Sequence, residues 1–136
     1  MDDRAQHHVS QPARGSARSI PLTVRRAQAF IQQHARVPIK VEDLARAASL
    51  STRGLQAAFQ TSLGMTPMTY LRQVRLEGAR RDLQRADPRR GDSVGEIATS
   101  WGFTHVGRFA KNYRDRFGET PGETLRAHDS AGDRRA

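Results

Sequence analysis

Arg53 and Gln56 lie three residues apart, and with Ala57 and Gln60 they fill the side of a short segment left free by Leu55, Phe59 and Leu63. A guanidinium fork can lay two parallel hydrogen bonds on guanine O6 and N7, and a carboxamide can do the same on adenine N6 and N7. A later segment carries Gly107, Arg108, Lys111 and Arg114 opposite an apolar stripe of its own. Ser51, Thr52, Thr104 and His105 stand where these two segments begin, a place where hydroxyls and free amides suit phosphate. Gln60, Arg72 and Arg114 are further phosphate candidates. Such types at such spacings can recognise base edges and phosphates; they do not make or break bonds. Arg53 and Arg108 can equally be solvated surface arginines, the usual fate of a single arginine.

The rest of the composition narrows the chemistry further. The chain has no cysteine, which excludes thiol catalysis, disulfides and cysteine-based zinc sites. Its five histidines are scattered, His7 and His8 near the N-terminus among them, and no glycine-rich phosphate loop, metal-ligand cluster or Ser/His/Asp grouping is present. No catalytic residue, metal or cofactor is therefore expected, and the chain does not read as an enzyme. A net charge of +9 and a pI near 11.4 point to a polyanion such as nucleic acid, or to an anionic surface. Nearly all the cations are arginine, with only Lys40 and Lys111 as lysine; genomic base composition and a preference for the planar fork explain that bias equally well. The start, Met1-Asp2-Asp3-Arg4, has no apolar run, and no stretch is long enough to span a bilayer, so a cytoplasmic chain without a membrane partner is expected.

The elements that must position these side chains come twice. Leu44-Ala45 returns as Ile97-Ala98, Leu50 as Phe103, Leu55 as Phe109, Phe59 as Tyr113, Leu63-Gly64 as Phe117-Gly118, Thr66-Pro67 as Thr120-Pro121, and Leu71-Arg72 as Leu125-Arg126. The second copy carries one extra residue near its internal turn. Two copies are too few for a solenoid, which needs about three repeats to bury a continuous core. Helical periodicity runs through almost every segment and nothing alternates as a strand does. An all-α fold of about seven helices follows. The first helix runs from about Leu22 to Ala35, with Val24, Ala27, Phe30 and Ile31 on one face and Pro38 enforcing its end. The second spans Val41 to Ala48. The third spans Thr52 to Leu63, capped by Ser51 and closed by Gly64. Thr66-Pro67 opens a long helix to about Arg85, with Met68, Leu71, Val74 and Leu83 spaced for burial. Arg89 to Asp92 reads as a polar loop after Asp87-Pro88. Helices then follow from Val94 to Trp101, from about His105 to Phe117, and from Thr120-Pro121, where Thr120 and Glu123 form a capping box.

In each copy a small residue on the short helix, Ala45 or Ala98, lets two helices cross closely. Four positions on, Ser49 or Gly102 must accept a tight and often left-handed turn, which glycine does without steric cost. Apolar neighbours, Ala48 and Leu50 or Trp101 and Phe103, lock the angle of a helix-turn-helix. Serine at position 49 departs from the usual glycine. Trp101, Phe103 and Tyr113 read as core, and His105 as a helix-start residue.

Gly102-Phe103, Arg108-Phe109, Tyr113-Arg114, Phe117-Gly118 and Thr120-Pro121 together resemble the C-terminal signature of AraC-type transcriptional regulators. Leu44-Ala45 through Phe59 and Gly64 to Leu71 are similar to the less regular first half of the same domain. The resemblance covers about Leu22 to Arg126. Residues 1–20, rich in Ser, Gln, Arg and His with few large apolar residues, read as a disordered leader, and 128–136 as a flexible tail. Between them the resemblance implies a DNA-binding domain over 21–127, with helix-turn-helix units at about 22–64 and 93–118 joined by a linker helix over about 66–86. It further implies a sequence-specific transcriptional regulator that bends double-stranded DNA, sits with the bacterial nucleoid and contacts RNA polymerase. No effector or dimerisation domain is visible, so the chain is expected to be either a short stand-alone regulator or the DNA-binding part of a longer one. Family correspondence puts Arg53, Gln56 and Ala57 at base-contacting positions in the first unit, and Val106, Gly107, Arg108 and Lys111 in the second. Ala57 and Gly107 replace polar residues often found there, and offer a thymine methyl contact or a close backbone approach. A helix of about 30 Å, at 1.5 Å per residue, suits the 34–36 Å between successive major-groove faces. Unlike reading helices demand an asymmetric site. The competing class is a basic RNA-binding or nucleoid-coating protein, which accounts for the charge but not for the duplicated turn.

Overall fold

A computed structural model describes residues 20–127. The leader expected over 1–20, Ile20 excepted, and the tail over 128–136 lie outside the described residues. Seven α-helices and one short 3-10 turn make up the described elements, with no strand among them. They are α1 (Leu22–His34), α2 (Val41–Ala48), α3 (Thr52–Leu63), α4 (Pro67–Arg85), the 3-10 turn (Pro88–Arg90), α5 (Val94–Ser100), α6 (Val106–Phe117) and α7, helical over 121–127. Two compact units share them: residues up to Gln33 with Lys40–Thr69, and His34–Ile39 with the chain from Tyr70 onward.

Local chemistry sets the ends of these helices. The Ser51 hydroxyl accepts the Gly54 N–H at 3.0 Å, and the Thr66 hydroxyl accepts the Thr69 N–H at 3.1 Å ahead of Pro67. The Thr120 hydroxyl takes the Glu123 N–H at 3.1 Å while the Glu123 carboxylate takes the Thr120 N–H at 2.8 Å, the reciprocal box legible in the sequence. Gly64 and Gly118 end α3 and α6 in the left-handed region (φ 71° and 78°), their N–H groups bonded to the Gln60 and Arg114 carbonyls.

In the first unit α2 packs on α3. Val24, Ala27 and Ile31 of α1, Leu44, Ala45 and Ala48 of α2, and Leu55 and Phe59 of α3 are buried. Phe30, Leu50 and Leu63 are only half-buried.

In the second unit α5 packs on α6, and Leu71, Val74, Leu76, Ala79 and Leu83 of α4 are buried with Ala98, Phe109, Tyr113 and Leu125. Trp101 organises one side of it. Its indole lies over Gly78, where an added Cβ would sit 2.3 Å from the ring. Its Nε1–H donates to Asp82 at 2.7 Å, and the Arg36 guanidinium stacks on the ring at 4.0 Å while pairing with Asp82 at 3.4 Å. Arg75 ties in the segment after α1, donating from Nε to the Ala35 carbonyl (2.6 Å) and from its terminal nitrogen to the Val37 carbonyl (2.8 Å). Burial pushes the Tyr113 phenol up, so it stays protonated and bonds Thr124 at 2.8 Å; the Thr124 hydroxyl in turn donates to Glu119.

Three expectations are corrected. Met68 is 38% exposed, because it sits in the first turn of α4 and burial along its stripe begins only at Leu71. Arg89–Asp92 is not a featureless loop: Asp87 accepts the Arg89 N–H at 2.9 Å and winds Pro88–Arg90 into a 3-10 turn closed by Gly91 at φ 91°. Helices α1 and α5 each stop one residue early, at His34 and Ser100. His105 is the N-cap of α6, in keeping with its reading as a helix-start residue.

Gly78→Ala drives a methyl into the indole and is expected to lower unfolding free energy by at least about 1–3 kcal/mol, read by denaturant titration. The Asp43, Asp87 and Glu123 carboxyls are held below their ordinary range, chiefly by backbone N–H bonds from Lys40, Arg89 and Thr120. A depressed folded value gives stability that is present above the unfolded value, about 4, and lost as pH falls through the folded one. The denaturation midpoint is therefore expected to fall on acidification below about pH 4, and to fall less in Glu123→Gln, where an amide replaces one such carboxyl.

Candidate nucleic-acid interface

Each unit presents one amphipathic helix by means of the same turn. After α2, the Leu50 N–H reaches back to the Ala45 carbonyl at 2.9 Å, and the Ser49 N–H bonds the Arg46 carbonyl at 3.1 Å. After α5, the Phe103 N–H reaches the Ala98 carbonyl at 3.0 Å, and the Gly102 N–H bonds the Thr99 carbonyl at 2.9 Å. Both turns need one left-handed residue, met by Ser49 (φ 60°) and Gly102 (φ 88°). Ser49 is the lone non-glycine with positive φ among the described residues. It adopts the conformation its place in the repeat demands, at a steric cost that glycine avoids. Gly102 has a second constraint, since a Cβ there would meet the Arg75 guanidinium at 3.3 Å. The extra residue of the second copy lies between this turn and α6: Leu50 alone separates Ser49 from the cap Ser51, whereas Phe103 and Thr104 separate Gly102 from the cap His105.

Helix α3 buries Leu55 and Phe59 fully and turns Arg53, Gln56, Ala57 and Gln60 outward. Ser51 is exposed and Thr52 half-buried at its start. With the Ser51 oxygen accepting the Gly54 N–H, its hydroxyl hydrogen is the part left to meet a phosphate. Helix α6 buries Phe109 and Tyr113 fully and exposes Gly107, Arg108, Lys111 and Arg114; Val106 is 44% exposed. Thr104 and His105 are exposed before it, and His105 makes no side-chain cap, so no side chain caps the first-turn amides of α6. Arg72 is exposed on α4. The structure thus brings Ser51, Thr52, Arg53, Gln56, Ala57 and Gln60 together on the first unit. It brings Thr104, His105, Val106, Gly107, Arg108, Lys111 and Arg114 together on the second. Trp101 and Tyr113 are buried, and Phe103 is half-buried with its ring 4.7 Å from that of Phe109.

One member of the second surface escaped the sequence reading. Asp115 is 62% exposed on α6 and takes an ion pair from Lys111 at 2.9 Å. Its sequence signal is an i, i+4 Lys/Asp spacing, common on any solvated helix face.

A helix-turn-helix domain family matches residues 44–127. The probable thc operon regulatory protein of Rhodococcus erythropolis is 46% identical over 125 residues, which is 92% of this chain and 36% of that protein. The crystal structure of a probable AraC family transcriptional regulator from Rhodopseudomonas palustris is similar at a TM-score of 0.73 and 38% identity, covering 79% of this chain and 98% of that one. The DNA-binding domain of AdpA, a global transcriptional factor solved in complex with a target DNA, is similar at a TM-score of 0.70 and 26% identity, covering 80% and 95%.

The two turns make a paired test of backbone strain. Ser49→Gly is expected to gain about 0.5 kcal/mol of stability, relief of the left-handed cost exceeding the added chain entropy, while Gly102→Ser loses about 1–2 kcal/mol. Thermal melts of both variants read the difference.

Proposed function

The chain belongs to the AraC family of transcriptional regulators, and from that premise we propose how it reads DNA. Helices α3 and α6 enter successive major grooves of one duplex as the two reading helices of a sequence-specific regulator. The observation that carries this is the repeated turn: two helices, each launched by the same reach-back hydrogen bond, each apolar inside and polar outside.

Arg53 bridges a guanine and Gln56 an adenine, and Ala57 meets a thymine methyl. On α6, Arg108 and Lys111 carry the base donors, Val106 offers an apolar contact, and Gly107 lets the backbone approach. Ser51, Thr52, Gln60, Thr104 and His105 hold phosphates at and along the two helices, with Arg72 and Arg114 as point charges on the backbone. The uncapped start of α6 adds free amides to that grip. Because α3 and α6 differ at every outward position, the site is asymmetric, and engaging two grooves at once bends the DNA. The regulator works in the nucleoid, and RNA polymerase is the partner through which occupancy alters transcription. No described helix is long and apolar enough to cross a membrane.

The test is binding of the chain to a duplex selected from a random pool, to random duplex and to single-stranded RNA, each at two salt concentrations. A regulator keeps its preference for the selected duplex as salt rises, whereas a general polyanion binder loses all affinities together. Arg53→Ala is expected to cost about 1–3 kcal/mol on the selected duplex and to relax preference at one base pair. Arg114→Ala is expected to weaken all duplexes alike and to flatten the salt dependence by about one phosphate contact. Equal affinity for RNA and selected duplex at both salts overturns the proposal.

A further inference from the structure

Helix α3 carries no acidic residue, yet α6 places Asp115 four residues beyond Lys111 and seven beyond Arg108, on the same outward stripe. The Lys111–Asp115 pair is 75% and 62% exposed, so it adds little to folding. Asp115 thus stands exposed among the cations of that stripe, Arg108 and Lys111. A carboxylate there opposes any polyanion that approaches without offering it a hydrogen-bond donor, and it neutralises a cation that would otherwise bind phosphate indiscriminately.

Resting on the DNA-reading proposal above, we propose that Asp115 is a specificity-determining residue, which with Lys111 reads a G·C pair in the major groove. The ammonium is held at 2.9 Å from the carboxylate, a donor group directly beside an acceptor group. A G·C pair presents the complement: guanine N7 and O6 take the ammonium, and the cytosine N4 amine next to them gives its hydrogen to Asp115. Phosphate satisfies only half of this couple and repels the other half. With one ammonium proton engaged by the carboxylate, Lys111 has less to offer a backbone phosphate than a lone lysine would. The second reading helix thereby exchanges raw affinity for discrimination, while the first, with Arg53 and Gln56 and no acidic neighbour on its own helix, makes no such exchange.

The experiment compares the full chain with Asp115→Asn and Asp115→Glu on random duplex at several salt concentrations, and on duplexes selected by each protein from a pool. Asp115→Asn is expected to bind random duplex about fivefold more tightly, since one repelling charge near phosphate is gone. Its salt dependence should steepen by about 0.9 as Lys111 is freed to neutralise a phosphate. At one position its selected sites should move from cytosine toward adenine, the base an amide bridges. Asp115→Glu keeps the charge and should keep the weak binding to random duplex. Unaltered random-duplex affinity and unaltered selection in Asp115→Asn overturn the proposal, as does an equal loss on all duplexes accompanied by a lower melting temperature. If the unmodified chain itself shows no preference for selected over random duplex, the DNA-reading proposal fails and this one with it. Preference in the unmodified chain with no change in Asp115→Asn removes this inference alone.

Discussion

A single left-handed residue after a short helix governs what each unit can present. At Ser49 and at Gly102 the chain reverses tightly enough for the next N–H to return to a carbonyl five residues back. That bond, with the alanine that supplies the carbonyl, fixes the crossing of one helix over the next. Once the crossing is fixed, the burial of Leu55 and Phe59, or of Phe109 and Tyr113, decides which side of the following helix is left to solvent. Every outward side chain with a role proposed on α3 or α6 inherits its direction from this one backbone conformation. The chain meets the constraint with glycine in one copy and accepts serine in the other.

The two copies share the constraint and diverge around it. The first caps its reading helix with the Ser51 hydroxyl and keeps a one-residue link; the second lengthens the link by Thr104 and leaves the helix start without a side-chain cap. Around the second turn a polar and aromatic network has gathered. Arg75 grips two carbonyls of the segment after α1, and Arg36, Asp82 and Trp101 interlock over Gly78. Duplication thus supplied two launching points, and each was then buttressed and decorated on its own.

Much of this was legible in the sequence because the signals are local. Ser51, Thr66-Pro67 and the Thr120/Glu123 box act over three residues, and the limits of α2, α3 and α4 follow from them and from apolar spacing alone. The outward placement of Arg53, Gln56, Arg108 and Lys111 came from the same spacing. Less legible were features that depend on partners far along the chain. Nothing near Arg36 announces Asp82 or Trp101, and Gly78 reads as a weak point in a helix until the indole that needs its missing side chain is seen against it. Met68 fits its helical stripe but not the extent of what covers that stripe. Asp115 is legible only as an i, i+4 partner of Lys111, a spacing that by itself marks no more than a solvated helix face.

Trp101 is the chain's one tryptophan, and it lies in the second unit with a carboxylate on its nitrogen and a guanidinium on its face. Its ultraviolet emission is therefore a reporter confined to that unit, blind to the helices of the first. Far-ultraviolet circular dichroism sees the helices of both. Whether the two optical transitions coincide on heating is thus a direct measure of whether the halves of this duplicated domain melt as one cooperative body or in turn.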